Sequence, residues 1–376
     1  MRAPNNAAPR VRKTVTTLAD GRRLIYFDDS DAPPARTAAD PRALPPASSQ
    51  AQLRYDVLTG EWVAIAAQRM DRTYLPPVGD SPLAPTRPGG PATEIPSADY
   101  DVVVFENRFP SLSWRAADQI LPPHLDGEPL WPLRPGTGSC EVVCFTSDPH
   151  ASFATIGHRR ARTVVDAWAD RTAELSQLPG VVQVFCFENR GREIGVTLTH
   201  PHGQIYAYPY LPPRTEAMLR QARRHRAATG ANLFADVLDA ERRSGRRVVV
   251  AGEQWTAFVP AAARWPLEVQ LMPHREIADF PELSEDERDE LTTIYLDLLN
   301  RVDRFFDGVE ETPYVAGWHQ APLCAERELG RLHLQLFSVM RSPGRLKYLA
   351  GSESGMGAWI NDITPERIAD RFREVG

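Results

Sequence analysis

Two imidazoles and a primary amide stand at alternate positions in His200-Pro-His202-Gly-Gln204. In an extended segment, side chains two apart project to the same side, so His200, His202 and Gln204 share a face. A neutral imidazole is a competent nucleophile near pH 7, because its ordinary pKa is about 6.5. The Gln204 amide donates hydrogen bonds to a phosphoryl oxygen without a proton to lose. The set suits attack on phosphorus. Three other readings of a bare His-x-His stay open: a pair of metal ligands, satisfied polar residues at a sheet edge, or an accident of composition. Gly203 has no side chain and marks a point where something can approach the backbone closely.

Several elements must hold these residues. Residues 181–191 read as a strand ending in a turn, and the periodic, Gly- and Pro-free stretch 159–178 predicts a helix before it. Lys13 to Phe27 alternates about Asp20-Gly21, the pattern of a hairpin, and 30–50 reads as loop or linker. Residues 54–69 give a turn at Thr59-Gly60 and then a strand. A long Pro/Gly-rich loop covers 76–96, and 101–111 reads as a buried strand running into a turn. Residues 135–145 form a Gly-bearing loop and strand, with Cys140 and Cys144 on one side, a spacing better suited to packing than to metal. Helices are predicted at 218–229, 233–244, 284–306 and 364–375; Glu285 and Asp286 sit where the third helix's dipole favours acids.

The order then repeats. Trp255 to Pro260 and Leu267 to Pro273 echo the strands at 102–110 and 141–145. The helix 284–306 matches 159–178, Pro313 to Pro322 matches the strand before the histidines, and Leu332 to Phe337 matches His200 to Ile205. This is a duplicated strand–strand–helix–strand–strand unit, in which only the first copy keeps the nucleophile pattern. The fold class is α+β: two half-repeats, each an antiparallel sheet with helices packed on one side. The expected division is a hairpin and linker at 1–50, a catalytic half at 51–215 and a second half at 216–376.

Composition narrows the classes. At 376 residues, with 42% hydrophobic and 24% charged, the chain is an ordinary globular protein of two or three domain-sized units. A formal net charge of −6 gives no electrostatic case for nucleic acid or an anionic membrane. Phosphate binding must come from a local cluster of Arg, Lys and backbone amides. No apolar run approaches the roughly 18 residues of a membrane span, and no apolar stretch follows Met1 as in a secretory signal. Four cysteines are too few for a disulfide framework, so a cytoplasmic location is expected.

The string His200-Pro-His-Gly-Gln204, followed by Ile-Tyr-Ala, resembles the active-site strand of galactose-1-phosphate uridylyltransferases, the transferase branch of the histidine-triad (HIT) superfamily. Further motifs follow in family order over about 54–370: Arg69-x-x-Arg72 after Leu58-Thr-Gly-Glu-Trp62, Phe105-Glu-Asn107-Arg-Phe-Pro110, Glu188-Asn-Arg-Gly191 and Gly317-Trp-His319. The resemblance implies HIT-like halves and a ping-pong reaction. His202 attacks the α-phosphorus of UDP-glucose, glucose 1-phosphate leaves, and galactose 1-phosphate takes the uridylyl group from His202. Beside the catalytic His202, Gln204 and His200, it implies substrate contacts from Arg69, Arg72, Asn107, Asn189, Gly195, Val196, Thr197, Lys347 and Glu353. Guanidinium forks suit phosphate oxygens, and a Lys suits a phosphate. On spacing alone these residues also read as surface arginines, turn-capping asparagines, a β-branched strand residue and two loop charges.

The resemblance implies no organic cofactor. It brings zinc or iron into view, since many members hold a structural zinc with Cys-x-x-Cys in the Pro-rich loop. Here that place reads Ser81-Pro-Leu-Ala84, and the His that follows, His150, falls one position late, so this zinc is expected to be lost. Of a second metal site only His319 and His333 remain as remnants; Gln335 replaces a histidine, and Glu216 lies two residues off the position of the acid. A homodimer is compatible with the family. The alternative activity is a related nucleotidyltransferase or phosphorylase acting on another sugar phosphate or an ADP-sugar. The third reading, an inactive binding protein, sits poorly with an intact His202 and Gln204.

Overall fold

The computed structural model describes residues 11–71, 76–77 and 81–376. Its strands are β1 (Arg12–Thr17), β2 (Arg23–Asp28), β3 (Gln52–Asp56), β4 (Glu61–Ile65), β5 (Val102–Glu106), β6 (Leu133–Pro135), β7 (Ser139–Cys144), β8 (Gln183–Arg190), β9 (His202–Tyr208), β10 (Val248–Ala251), β11 (Trp255–Phe258), β12 (Leu267–Pro273), β13 (Tyr314–His319) and β14 (His333–Ser338), with a small ribbon of β15 (Met340–Ser342) and β16 (Arg345–Leu346). The helices are α1 (Gly157–Ser176), α2 (Pro213–Thr229), α3 (Leu233–Ser244), α4 (Glu285–Arg304), α5 (Gly351–Met356) and α6 (Pro365–Glu374). No helix among the described residues is long and apolar enough to cross a membrane.

Eleven strands form one antiparallel sheet in the order β1-β2-β5-β7-β9-β8-β13-β14-β12-β11-β10. Read outward from the β8–β13 seam, the halves mirror each other: β8, β9, β7, β5, β2 on one side, β13, β14, β12, β11, β10 on the other. This is the duplication seen in the sequence, joined edge to edge, with Ala316 opposite Glu188 and Trp318 opposite Cys186. The N-terminal hairpin forms about Asp20-Gly21 but is not a separate unit. Its second strand pairs with β5, Ile25 opposite Val104, and extends the sheet.

One core spans both halves. The helices α1 and α4 pack together on the same face of the sheet. Between them Phe153 and Trp168 of the first half meet Tyr295 and Trp318 of the second, with centroids 5.0 Å apart for Phe153–Tyr295 and 6.0 Å for Trp168–Trp318. Aromatic rings bury large areas, so this cluster ties the halves far more firmly than strand hydrogen bonds alone. The later helix α3 covers the opposite face of the second half, where Phe234 and Leu238 meet Phe258 and Met272. Strand alternation makes this possible: Trp255 and Ala257 of β11 join the main core, and Phe258 points the other way.

Local signals set the ends of these elements. The Ser284 side chain accepts from the Glu287 amide while the Glu287 carboxylate takes the Ser284 amide, a capping box that starts α4. Pro213 at the first position of α2 starts that helix five residues before the predicted Met218, because proline's fixed φ suits a first turn. A second, three-stranded sheet, β4-β3-β6, packs Leu53 and Trp62 against Tyr206 and Tyr208. It covers the far end of the strand that begins at His202.

Candidate active site

Strand β9 begins at His202 and alternates cleanly. Gly203, Ile205 and Ala207 are buried toward α1, and His202, Gln204, Tyr206 and Tyr208 face the other side of the sheet. The close approach read at Gly203 is real: a Cβ there would lie 2.8 Å from the Phe187 carbonyl oxygen and 2.9 Å from the Phe145 ring. The strand therefore sits tight against β8 and the core, with little room to move the two residues that flank Gly203.

His202 is held by its own backbone. Its Nδ1 lies 2.7 Å from the His200 carbonyl oxygen, which can only accept, so Nδ1 carries the proton and the lone pair is on Nε2. Burial lowers the pKa of His202, keeping the ring neutral. His202 lines two adjoining cavities. One is walled by Arg69, Leu83, Asn107, Arg108, Thr197 and Gln204. The other is walled by Glu188, Asn189, Arg190, Val196 and Thr199, with His200 at its edge. A neutral ring with an unprotonated nitrogen thus lines two adjoining clefts, each of which carries arginine and asparagine side chains.

His200 departs from the expected shared face. It precedes the strand, and its ring is 1% exposed. Its Nε2 lies 2.8 Å from the Thr146 carbonyl oxygen and 2.7 Å from the Tyr100 hydroxyl. Pro201 interposes between the two histidines, and the strand starts at His202, two residues later than the sequence reading assumed. It is the His200 carbonyl, rather than its ring, that meets His202.

The remaining expected residues divide. Arg69 reaches the His202 cavity, its Nη1 donating to the Phe109 carbonyl at 3.0 Å. Arg72 lies outside the described residues. Asn107 lines the same cavity but also caps its turn, its Oδ1 accepting from the Phe109 amide at 2.8 Å. Asn189 and Val196 line the second cavity and Thr197 the first. Gly195 has φ +81° and gives its amide to the Arg192 carbonyl at 2.9 Å, so that amide shapes the turn instead of meeting a phosphate. Lys347 and Glu353 line neither His202 cavity of their own chain. They pair with each other at 2.9 Å, and the Lys347 ammonium also donates to the Arg264 carbonyl at 2.6 Å and to the Ile360 carbonyl, close to the Trp265 and Trp359 rings. A buried ammonium needs such acceptors, which explains why the pair turns inward.

Two groups escaped the sequence reading. Arg108 lines the Arg69 cavity with its guanidinium 5.6 Å from the Phe109 ring centre. Glu188 is buried in the second cavity, accepts from the Tyr314 hydroxyl at 2.9 Å, and is pushed up to about 7 by burial. Both adjoin residues that were singled out, Asn107 and Asn189, but nothing in residue type separates them from ordinary surface charges.

Among the described residues the expected metal ligands are incomplete. Ser81 and Ala84 supply no thiolate. His319 and His333 stack with ring centroids 4.8 Å apart, and the His333 Nδ1–H on the Arg331 carbonyl leaves its Nε2 unprotonated, but the Gln335 amide beside them is given to Glu268 at 2.6 Å. Among the described residues, no three His, Cys, Asp or Glu side chains are grouped to hold an ion.

Burial holds both His200 and His333 down at about 4. The unfolded chain binds protons at these rings below about 6.5, and the folded chain does not. Stability from them is therefore intact above about 6.5 and is lost as pH falls toward 4, by about 2 kcal/mol per ring at pH 5. Denaturant midpoints between pH 7 and 5 should fall, and H333Q should flatten that slope; an unchanged slope would contradict the assignment.

The chain matches known proteins along most of its length. Residues 44–212 match the model of the galactose-1-phosphate uridyl transferase N-terminal domain, and 218–376 match that of the C-terminal domain. The chain is 46% identical to a Streptomyces lividans galactose-1-phosphate uridylyltransferase, over 97% of this chain and 98% of the relative. It is 35% identical to that of Thermotoga maritima, over 86% and 98%. A solved uridylyltransferase superposes with a TM-score of 0.74 at 30% identity, covering 86% of this chain and 98% of that one. An ADP-glucose phosphorylase from Arabidopsis thaliana shares the fold, with a TM-score of 0.65 at 21% identity and coverage of 87% and 99%. The mirrored half-sheets, the His-Pro-His-Gly-Gln strand between two cavities and the full-length likeness converge: the chain belongs to the galactose-1-phosphate uridylyltransferase family.

Proposed function

We propose that this chain is a galactose-1-phosphate uridylyltransferase that moves UMP from UDP-glucose to galactose 1-phosphate through a uridylylated His202. The observation that carries the reading is the 2.7 Å bond from His202 Nδ1–H to the His200 carbonyl, which leaves an unprotonated Nε2 in a ring that lines both cavities. In the first step the Nε2–P bond forms as the bond from phosphorus to the glucose 1-phosphate oxygen breaks. In the second, a phosphate oxygen of galactose 1-phosphate attacks phosphorus and the P–N bond breaks. The Nδ1 proton stays on the ring throughout. No general base is needed, since the attacking groups are a neutral imidazole and a phosphate anion. Gln204 and Arg69 hold charge on the non-bridging oxygens, Asn107 and Thr197 line the same cavity, and Asn189 orients the group in the second cavity.

The reading includes a cytoplasmic enzyme, supported by four unpaired cysteines, three of them buried. It also includes a homodimer. Tyr348 and Met356 are 80% and 82% exposed on the segment around the Lys347–Glu353 pair, an apolar surface suited to a second copy.

Incubation with UDP-glucose labelled at the α-phosphorus should leave acid-labile label on the protein, discharged by galactose 1-phosphate. Absence of label on the wild-type chain ends the reading. Faster labelling from ADP-glucose than from UDP-glucose would reassign the nucleotide.

A further inference from the structure

The loop that would carry thiolates in metal-holding relatives is fastened here by a hydroxyl. Leu83, between Ser81 and Ala84, accepts a hydrogen bond from the Tyr100 hydroxyl at 2.9 Å. The same oxygen lies 2.7 Å from His200 Nε2. The proton positions follow from the partners. The Thr146 carbonyl, 2.8 Å from Nε2, can only accept, so Nε2 carries a hydrogen and shares it between Thr146 and Tyr100. The tyrosine proton then goes to Leu83. Each donor then has an acceptor, and His200 Nδ1 is left as a buried lone pair without a partner among the described residues.

The chain continues to the nucleophile. The His200 backbone carbonyl takes the Nδ1 proton of His202, and Leu83 walls the cavity that His202 lines. Fixing the His200 ring therefore fixes the carbonyl that chooses the His202 tautomer, and it fixes the cavity wall opposite. Tyr100 is 1% exposed, and burial raises its hydroxyl pKa well above 10, so it remains a donor. Its ring comes from the segment just before β5, distant in sequence from both contacts.

We infer that Tyr100 is a positioning residue: its hydroxyl clips the loop 81–84 to His200, and so holds His202 with Nε2 aimed at the substrate phosphorus. The inference rests on the transferase reading for its kinetic part only.

The test is Y100F, which removes one oxygen and keeps the ring. In the uridylylation half-reaction, kcat should fall roughly tenfold to 100-fold, the cost typical of losing a group that orients a metal-bound imidazole, with KM for UDP-glucose changing less than about threefold. In ¹⁵N-histidine spectra without substrate, wild type should show His202 protonated at Nδ1, and Y100F a mixture of tautomers. Unchanged kcat with unchanged tautomers overturns the inference, as does a fall in stability alone. If Y100F does not fold, His200 variants read the same contact. H200Q, whose amide reaches the Nε2 position, should keep more rate than H200N, whose amide stops at Nδ1; equal rates overturn the clip. A wild-type chain without transfer would refute the function and leave the tautomer result to judge the clip.

Discussion

H202A should lose uridylyl transfer by at least about 10⁴-fold in kcat, because a covalent route without its nucleophile has nothing else to take the phosphoryl group. The neighbouring groups explain why no substitute steps in. The His200 ring gives its Nε2–H to Thr146 and Tyr100 and is 1% exposed, so it cannot swing to the phosphorus. The Gln204 amide stabilises charge but attacks poorly. Nucleotide affinity should change less than about tenfold, since Arg69, Asn107 and Thr197 wall the cavity independently of the imidazole. Steady-state transfer together with UDP-glucose titration by calorimetry separates the two effects. Retention of more than one per cent of wild-type turnover would place the nucleophile elsewhere.

The dependence of pH on this nucleophile has a definite sign. A ring whose pKa is lowered by burial stays neutral below the ordinary value of about 6.5, so loss of the nucleophilic form should begin at lower pH than in a solvent-exposed histidine. Any loss of rate near pH 6.5 would then belong to another group. Glu188, at about 7 in the cavity on the far side of His202, is the titrating neighbour to replace first.

Much of this site could be read before the fold was known, for reasons particular residues make plain. Period-two alternation from His202 to Tyr208 depends only on neighbouring residues, so the face shared by His202 and Gln204 followed directly. The duplication was visible because α1 and α4 are long, periodic and matched in length. What stayed hidden depends on contacts distant in sequence. Tyr100 meets His200 across a hundred residues, and no local pattern marks a tyrosine as a clip. The joining of the half-sheets through β8 and β13 is likewise a choice of edge that neither strand encodes alone. Lys347 and Glu353 carry chemistry suited to a phosphate and a sugar, and their pairing with each other within one chain, beside carbonyls and indoles, is a contact that no local pattern announces. The short helix α5, Gly351-Ser-Glu-Ser-Gly-Met356, contains two glycines that disfavour helix, and it depends on Glu353 capping the Ala350 amide.

The largest stability effect is expected at Arg171 of α1. Its guanidinium meets Glu141 of β7 in a two-pronged pair, Nε to Oε2 and Nη2 to Oε1 both at 2.8 Å, and also reaches Glu174. Both partners of the pair are buried, and Glu141 sits opposite Ile205 of the active strand. R171M keeps most of the apolar stem but strands a carboxylate beneath the sheet, which costs about 3–5 kcal/mol because desolvation is no longer offset. The double variant R171M/E141Q should recover a good part of that loss, since it removes the uncompensated charge. Denaturant midpoints for the three proteins at pH 7.5 measure the loss and its recovery. A single variant within about 1 kcal/mol of wild type at pH 7.5 would mean that water reaches this pair, and that the seam between α1 and the active strand is looser than its burial implies.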